Sequence, residues 1–148
     1  YTPLLPMHSL GHNFIPAPIH AGGLRYHGMA PTVSQLIEEG LLAPKAVTQL
    51  AAYEAGVLWA RTEGYIPAPA TTNALAVVVK EAEKAKQEGK EKTILINFSG
   101  HGLLDLAAYE KYFTGQLADF SLGDDEIEKA KETVKNFPKP GRLKSNRT

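Results

Sequence analysis

The sequence predicts an α/β fold, with short parallel strands flanked by helices behind a long irregular N-terminal loop. Three observations lead there. A buried-looking run of β-branched and aromatic residues, "KTILINF" at 92–98, is followed by glycines and then by a helical pattern. Amphipathic segments alternate with short apolar runs, as βαβ units require. The first 31 residues hold five of the ten prolines, and the first acidic residue of the chain is Glu38.

The loop comes first. A stretch this rich in proline cannot be a helix, and its lack of charge argues against a solvated linker. It is expected to be ordered by contact and to line a pocket. "PTVSQLIEEG" predicts a short helix around 32–39 that stops at Gly40, a residue suited to a left-handed cap. The Val-Thr pair of "LLAPKAVTQ" predicts a short strand near 45–48. "LAAYEAGVLWARTEG" predicts a helix ending at Gly64, with Leu50, Tyr53, Val57, Leu58 and Trp59 facing a core. "YIPA" is a brief strand ended by Pro67. Thr71 or Thr72 then caps the helix "NALAVVVKEAEKAKQEG", apolar in its first half and charged in its second. "KTILINF" is a buried strand, and "GLLDLAAYEKYF" is a helix starting directly after Gly102. "DDEIEKAKETVKNF" is a final helix with acids in its first turn, where the helix dipole favours them. The expected boundaries are 1–122 for the main body and 123–148 for the last helix and polar tail. So few strands make a small parallel sheet that rarely stands alone, and Tyr1 stands where a methionine is usual. Both suggest a piece of a larger protein.

Composition narrows the function. The 148 residues carry 16 basic and 16 acidic side chains. That balance disfavours nucleic acid or an anionic membrane as partner. No cysteine is present, which excludes disulfides and thiolate metal sites. No apolar run reaches the roughly 18 residues of a membrane span, and no signal peptide opens the chain. The expectation is a soluble, cytoplasmic protein.

"NFSGHG" at 97–102 is the most informative motif. Ligands of open α/β sheets bind beyond the carboxyl ends of the strands, and Ser99 sits at such an end. Gly100 and Gly102 allow a close backbone approach, and the following helix start offers N–H donors. Many such turns bind nothing. His8, His12, His20 and His27 lack the spacing of a zinc signature; packing within the loop is the plainer role. "HAGG" lacks the lysine of a phosphate loop. "KEAEKAKQEGKEK" reads as a solvated helix face, and the basic tail as frayed chain.

Three stretches together go further: "HAGGLRYHGMAP" at 20–31, "ARTEGYIPAPATTNAL" at 60–75 and "ILINFSGHGLLDLAAY" at 94–109. In this order they resemble the tryptophan synthase beta chain, most closely its second type, over nearly all of residues 1–135 and about the last third of a family member. The resemblance implies part of a fold type II enzyme that uses pyridoxal 5′-phosphate (PLP) to join L-serine and indole into L-tryptophan and water. It further implies a homodimer when complete.

By that resemblance Ser99 hydrogen-bonds the pyridine nitrogen of the cofactor, beside Gly100. A hydroxyl donates without adding negative charge, so the nitrogen stays largely unprotonated and loss of the β-hydroxyl is favoured over transamination. Arg25 matches an arginine of the second type. It is the only charge among the first 37 residues, and a lone cation in an apolar loop calls for an anionic partner: a role with the substrate or in closure. The family also binds a monovalent cation through backbone carbonyls, at positions matching Leu24, Tyr26 and Gly28. Two departures stand out. Ala70 occupies the place of a family glutamate near the ring. The catalytic lysine and the glycine-rich phosphate loop belong to an earlier part of the family, and Lys45 matches no catalytic lysine. The chain alone is therefore expected to be inactive, with the missing N-terminal part as its partner. The alternatives are a serine or threonine deaminase-like enzyme, which would release pyruvate from serine, and a non-catalytic fragment that binds a partner chain.

Overall fold

The computed structural model describes residues 5–138 of the chain. Five helices follow in order: α1 (Pro31–Glu38), α2 (Gln49–Glu63), α3 (Pro69–Gln87), α4 (Leu106–Phe113) and α5 (Asp124–Val134), with a 3-10 turn at Gly22–Leu24. The chain divides into two compact units.

One unit comprises Ala17–Arg25 and Lys45–Ser121. Its α2 starts at Thr48, whose hydroxyl accepts the Ala51 N–H at 3.5 Å, and stops at Gly64 with φ 81°. Thr48 thus caps a helix where a strand near 45–48 was expected. Helix α3 opens with Pro69 in its first turn, where a missing N–H costs nothing. The N-cap is Ala68 rather than Thr71 or Thr72. Both threonines lie inside the first turn, 1% and 0% exposed. Each needs an internal partner, and the Thr72 hydroxyl donates to the Pro69 carbonyl at 2.7 Å.

Helices α2 and α3 approach closely at Gly56. A β-carbon there would lie 2.5 Å from Thr72 Cγ2 and 2.8 Å from the Tyr109 hydroxyl. Two clusters form the core. Tyr53, Ala108, Tyr109 and Leu117 make one. Ala55, Leu75 and Ala76 make the other, with Trp59, Ile96 and Phe98 packed against it.

The expected parallel strands do not form within the described residues. The described residues form no strand, and the fold is helical with two isolated β-bridges. "KTILINF" is extended, and its side chains alternate as a strand's do: Ile94, Ile96 and Phe98 are half-buried, while Leu95, Asn97 and Ser99 are exposed. Leu95 is 96% exposed. Period-two burial is present, but a strand also needs a hydrogen-bonded neighbour. The neighbour available is "YIPA", and it meets the segment at one antiparallel bridge, Pro67 to His101. There the Ala68 N–H donates to the Gly100 carbonyl at 2.9 Å and the Gly102 N–H to the Ile66 carbonyl at 2.7 Å. Helix α4 begins at Leu106, after a turn closed by the Asp105 N–H on the Gly102 carbonyl at 2.9 Å. Its N-terminus does not directly follow Gly102, so the expected helix-start donors do not adjoin Ser99 in the chain.

The described parts of the other unit are residues 5–16, 26–44 and 122–138. Its N-terminal segment is irregular, joined to residues 26–30 by an antiparallel bridge between Ser9 and Gly28. The His8 N–H donates to Ser34 Oγ at 3.1 Å, and the His8 ring meets Glu38 at 2.7 Å. Helix α1 ends near Gly40, at φ 72°, as expected. Helix α5 carries Asp124, Asp125 and Glu126 in its first turn. The polar tail beyond residue 138 lies outside the described residues.

Candidate functional site

The site grows from the start of α3. Pro69 occupies the first turn of that helix, and Thr71, two residues on, faces the segment that ends at Gly100. Thr71 Oγ1 lies 2.8 Å from Ser99 Oγ and 3.2 Å from the Gly100 carbonyl. The threonine is 1% exposed whereas Ser99 is exposed, so one hydroxyl anchors and the other presents. A β-carbon on Gly100 would sit 3.7 Å from Ala68, in ordinary contact. This glycine is therefore not forced by crowding within the chain. Gly102 is: a β-carbon there would fall 2.4 Å from the Pro67 carbonyl oxygen.

That carbonyl is also held by a hydrogen bond. The Tyr109 hydroxyl donates to it at 2.7 Å in a buried setting. Burial pushes the Tyr109 phenol up, with Tyr53 and Asp105 adding to the shift. Tyr53 is pushed up to about 12, by burial first and Asp105 second. Both rings therefore stay neutral donors through the physiological range. Tyr53 and Tyr109 pack edge to face at 5.0 Å. The bridge that places Ser99 and Gly100 is thus fixed by a tyrosine of α4 and a threonine of α3.

The 3-10 turn lies against this helix start, where a β-carbon on Gly23 would meet Ala70 Cβ at 3.7 Å. Arg25 closes the turn, its N–H on the Gly22 carbonyl at 3.2 Å, with an exposed side chain. Leu24 is 49% exposed in the same unit. Tyr26 and Gly28 belong to the other unit. Tyr26 is 66% exposed, and Gly28 is in the bridge with Ser9. No group of three or more histidine, aspartate or glutamate residues suited to a metal occurs among the described residues. His20 is tied by its backbone, its N–H on Gln49 Oε1 at 2.8 Å and its carbonyl accepting the Tyr53 hydroxyl at 3.4 Å.

An apolar groove of about 480 Å³ runs beside Val57, Ile66, Leu106, Tyr109 and Phe113. A smaller one of about 160 Å³ lies beside His20, Gln49, Tyr53, Pro69 and Asn73. Sequence reasoning missed Thr71 as the partner of Ser99, and Tyr109 as the support of Pro67. Nothing in the spacing from 71 to 99 announces the first contact. The second has a faint signal, a tyrosine inside an apolar helix face, because a buried phenol needs an acceptor.

Chemically, the arrangement offers one neutral hydroxyl that can give or take a hydrogen bond at an open edge. Such a hydroxyl can serve a single hydrogen-bonding atom of a partner. Lys84, Lys90, Lys92, Lys131 and Lys135 pair with carboxylates on the surface.

No family model matches the chain. It is 54% identical over 120 residues to the tryptophan synthase beta chain of Thermococcus gammatolerans, covering 81% of this chain and 27% of that one. It is 53% identical over 116 residues to tryptophan synthase beta chain 2 of Methanothermobacter thermautotrophicus, covering 78% and 27%. Over 123 residues it is 53% identical to tryptophan synthase beta chain 2 of Pyrococcus abyssi, covering 83% and 28%. Identity above one half over most of the chain makes it a relative of a set of enzyme subunits. Those subunits are the tryptophan synthase beta chains, and the chain spans between 27% and 28% of the length of these three. No helix among the described residues is long and apolar enough to cross a membrane.

Proposed function

We propose that these residues are the C-terminal part of a tryptophan synthase beta chain, of fold type II, which in the complete polypeptide joins L-serine and indole into L-tryptophan and water with PLP. The observation that carries the reading is the 54% identity over 120 residues to a protein of that name. Ser99, set on Thr71 and open outward, supports it. The extended segment 93–100 would then take parallel neighbours from the rest of the polypeptide, which would cover the 96% exposed Leu95.

When bound, PLP supplies an electron sink for breaking bonds at the α and β carbons of the amino acid. Ser99 would donate a hydrogen bond to the ring nitrogen and bring no charge. Gly100 would let the backbone pass beside the ring edge. Arg25 would engage the carboxylate of L-serine or fix the closed state, since a guanidinium matches a carboxylate in two bonds. The complete enzyme would be a cytoplasmic homodimer, with its lysine and phosphate loop contributed from outside these residues.

Ala70 favours a second reading. It sits at the start of α3 with Gly23 as its neighbour, and it brings no carboxylate to the ring. Without that group a deaminase-like outcome, pyruvate from L-serine, competes with tryptophan formation. The deciding experiment supplies the complete polypeptide with PLP, L-serine and indole and measures both products. Tryptophan in excess of pyruvate supports the first reading, and pyruvate alone supports the second. Neither product, from a folded protein that binds PLP, refutes both.

A further inference from the structure

The pair of hydroxyls at the site can be wired in two ways, and the choice decides what Ser99 presents. Each hydroxyl has one proton. Three oxygens compete for the two: Ser99 Oγ, Thr71 Oγ1 and the Gly100 carbonyl. In one wiring Ser99 donates to Thr71 across 2.8 Å, and Thr71 donates to Gly100 across 3.2 Å. Both protons are then used inside the chain, and Ser99 shows only lone pairs outward. In the other, Thr71 donates to Ser99, and the serine proton is released to an outside acceptor. The Gly100 carbonyl loses its threonine bond in this second wiring. It is not orphaned, because the Ala68 N–H still donates to it at 2.9 Å. Thr71, 1% exposed, always keeps one internal acceptor and never has to find water.

We propose that Thr71 is a positioning residue that sets the direction of the Ser99 proton, making the serine a donor to an unprotonated ring nitrogen and an acceptor toward a protonated one. The inference rests on the reading of Ser99 as the partner of a PLP ring nitrogen, and goes beyond it by naming the group that makes the serine work either way. A lone exposed serine would spend part of its time donating to water. With Thr71 donating into its lone pair, the serine proton is aimed outward and the bond it makes is strengthened by polarisation. The arrangement uses no charge, so it leaves the nitrogen free to gain or lose its proton.

The test compares two probes in the complete polypeptide: PLP, and the analogue in which a carbon replaces the ring nitrogen. Both are measured by equilibrium binding to the apoprotein. The wild type is expected to favour PLP by about three- to tenfold, the worth of one net hydrogen bond. Thr71→Ser should keep that preference. Thr71→Val should lose most of it, while binding the analogue nearly as the wild type does. Should the valine methyl, set where an oxygen now stands 2.8 Å from Ser99, prevent folding, Thr71→Ala removes the hydroxyl with no new atoms and carries the same comparison. A merely structural threonine would weaken both probes equally, and that result overturns the proposal, as does a Val or Ala variant that retains the preference. A wild type that binds both probes equally also overturns it, while leaving PLP use intact. A folded wild type that binds neither refutes the reading on which it rests.

Discussion

Replacing Tyr109 with phenylalanine tests whether α4 holds the bridge that carries Ser99. The ring stays, and with it the edge-to-face packing on Tyr53 at 5.0 Å. What is lost is one buried bond, 2.7 Å from the phenol to the Pro67 carbonyl. Pro67 is fully buried, so the carbonyl would be left unpaired in a setting that water does not reach. The cost of an orphaned buried acceptor is about 1–3 kcal/mol, which for a chain of this size lowers the melting temperature by on the order of 3–10 °C. The internal control is Tyr53→Phe. Its phenol reaches the His20 carbonyl at only 3.4 Å, so its removal should cost about 1 kcal/mol or less. Urea denaturation followed by circular dichroism gives both values on one scale. The alkaline limb adds a second readout. The Tyr109 phenol is held above its ordinary value of 10.0, so folding keeps a proton that the unfolded chain releases. Its share of stability is complete below pH 10 and is lost as pH rises through the higher folded value. Tyr109→Phe should flatten that limb, leaving the part due to Tyr53, whose folded value is about 12. Equal costs for the two variants, or an unchanged alkaline limb for Tyr109→Phe, would refute the assignment of Tyr109 as the support of Pro67.

Gly56→Ala places a methyl 2.5 Å from Thr72 Cγ2 and 2.8 Å from the Tyr109 hydroxyl; overpacking of this kind should destabilise by about 1–3 kcal/mol, and a neutral result in denaturant titration would show that α2 and α3 can separate freely. The Glu81 carboxyl is held below its ordinary 4.5 by the hydrogen bond and charge of Lys92, so its contribution is present at neutral pH and lost as pH falls through the lowered folded value. An NMR titration placing Glu81 at or above 4.5 would remove that pair from the account. The 148 residues alone should bind no stoichiometric PLP, because one hydrogen bond worth about 0.5–1.5 kcal/mol does not offset a loss of freedom of roughly 4 kcal/mol or more; saturable uptake in equilibrium dialysis, with one lysine modified, would overturn this and direct attention to Lys45.

Helices were legible where local chemistry decides them. Gly40 and Gly64 take the left-handed conformation that ends α1 and α2, and three acids open α5. Helix starts were less legible. Pro69 and Thr71 are both good first-turn residues, and only the fold chooses between a threonine that caps and one that is buried against Ser99. The strands failed for a different reason. Alternation of Ile94, Ile96 and Phe98 with Leu95, Asn97 and Ser99 is a property of the segment itself, and it is present. A sheet is a property of neighbours, and within these residues the extended segment meets a partner at one bridge.

The same distinction explains the site. Ser99 stood out as a candidate because a hydroxyl between an apolar run and two glycines has no packing role to fill. Thr71 did not, because its contact is made across a sequence separation of 28, with no charge or periodicity to mark it. A buried threonine is a cheaper partner for Ser99 than an ion would be. An aspartate at 71 would hold its charge against desolvation only with a cation beside it, and it would fix Ser99 as a donor toward the carboxylate. A valine would pack as well and leave the serine to water. Threonine alone among residues of that shape offers a proton and a lone pair at one atom, and the Gly100 carbonyl, already bonded to Ala68, gives its proton a second place to rest. The outward face of Ser99 can therefore change from donor to acceptor with no side chain leaving its place.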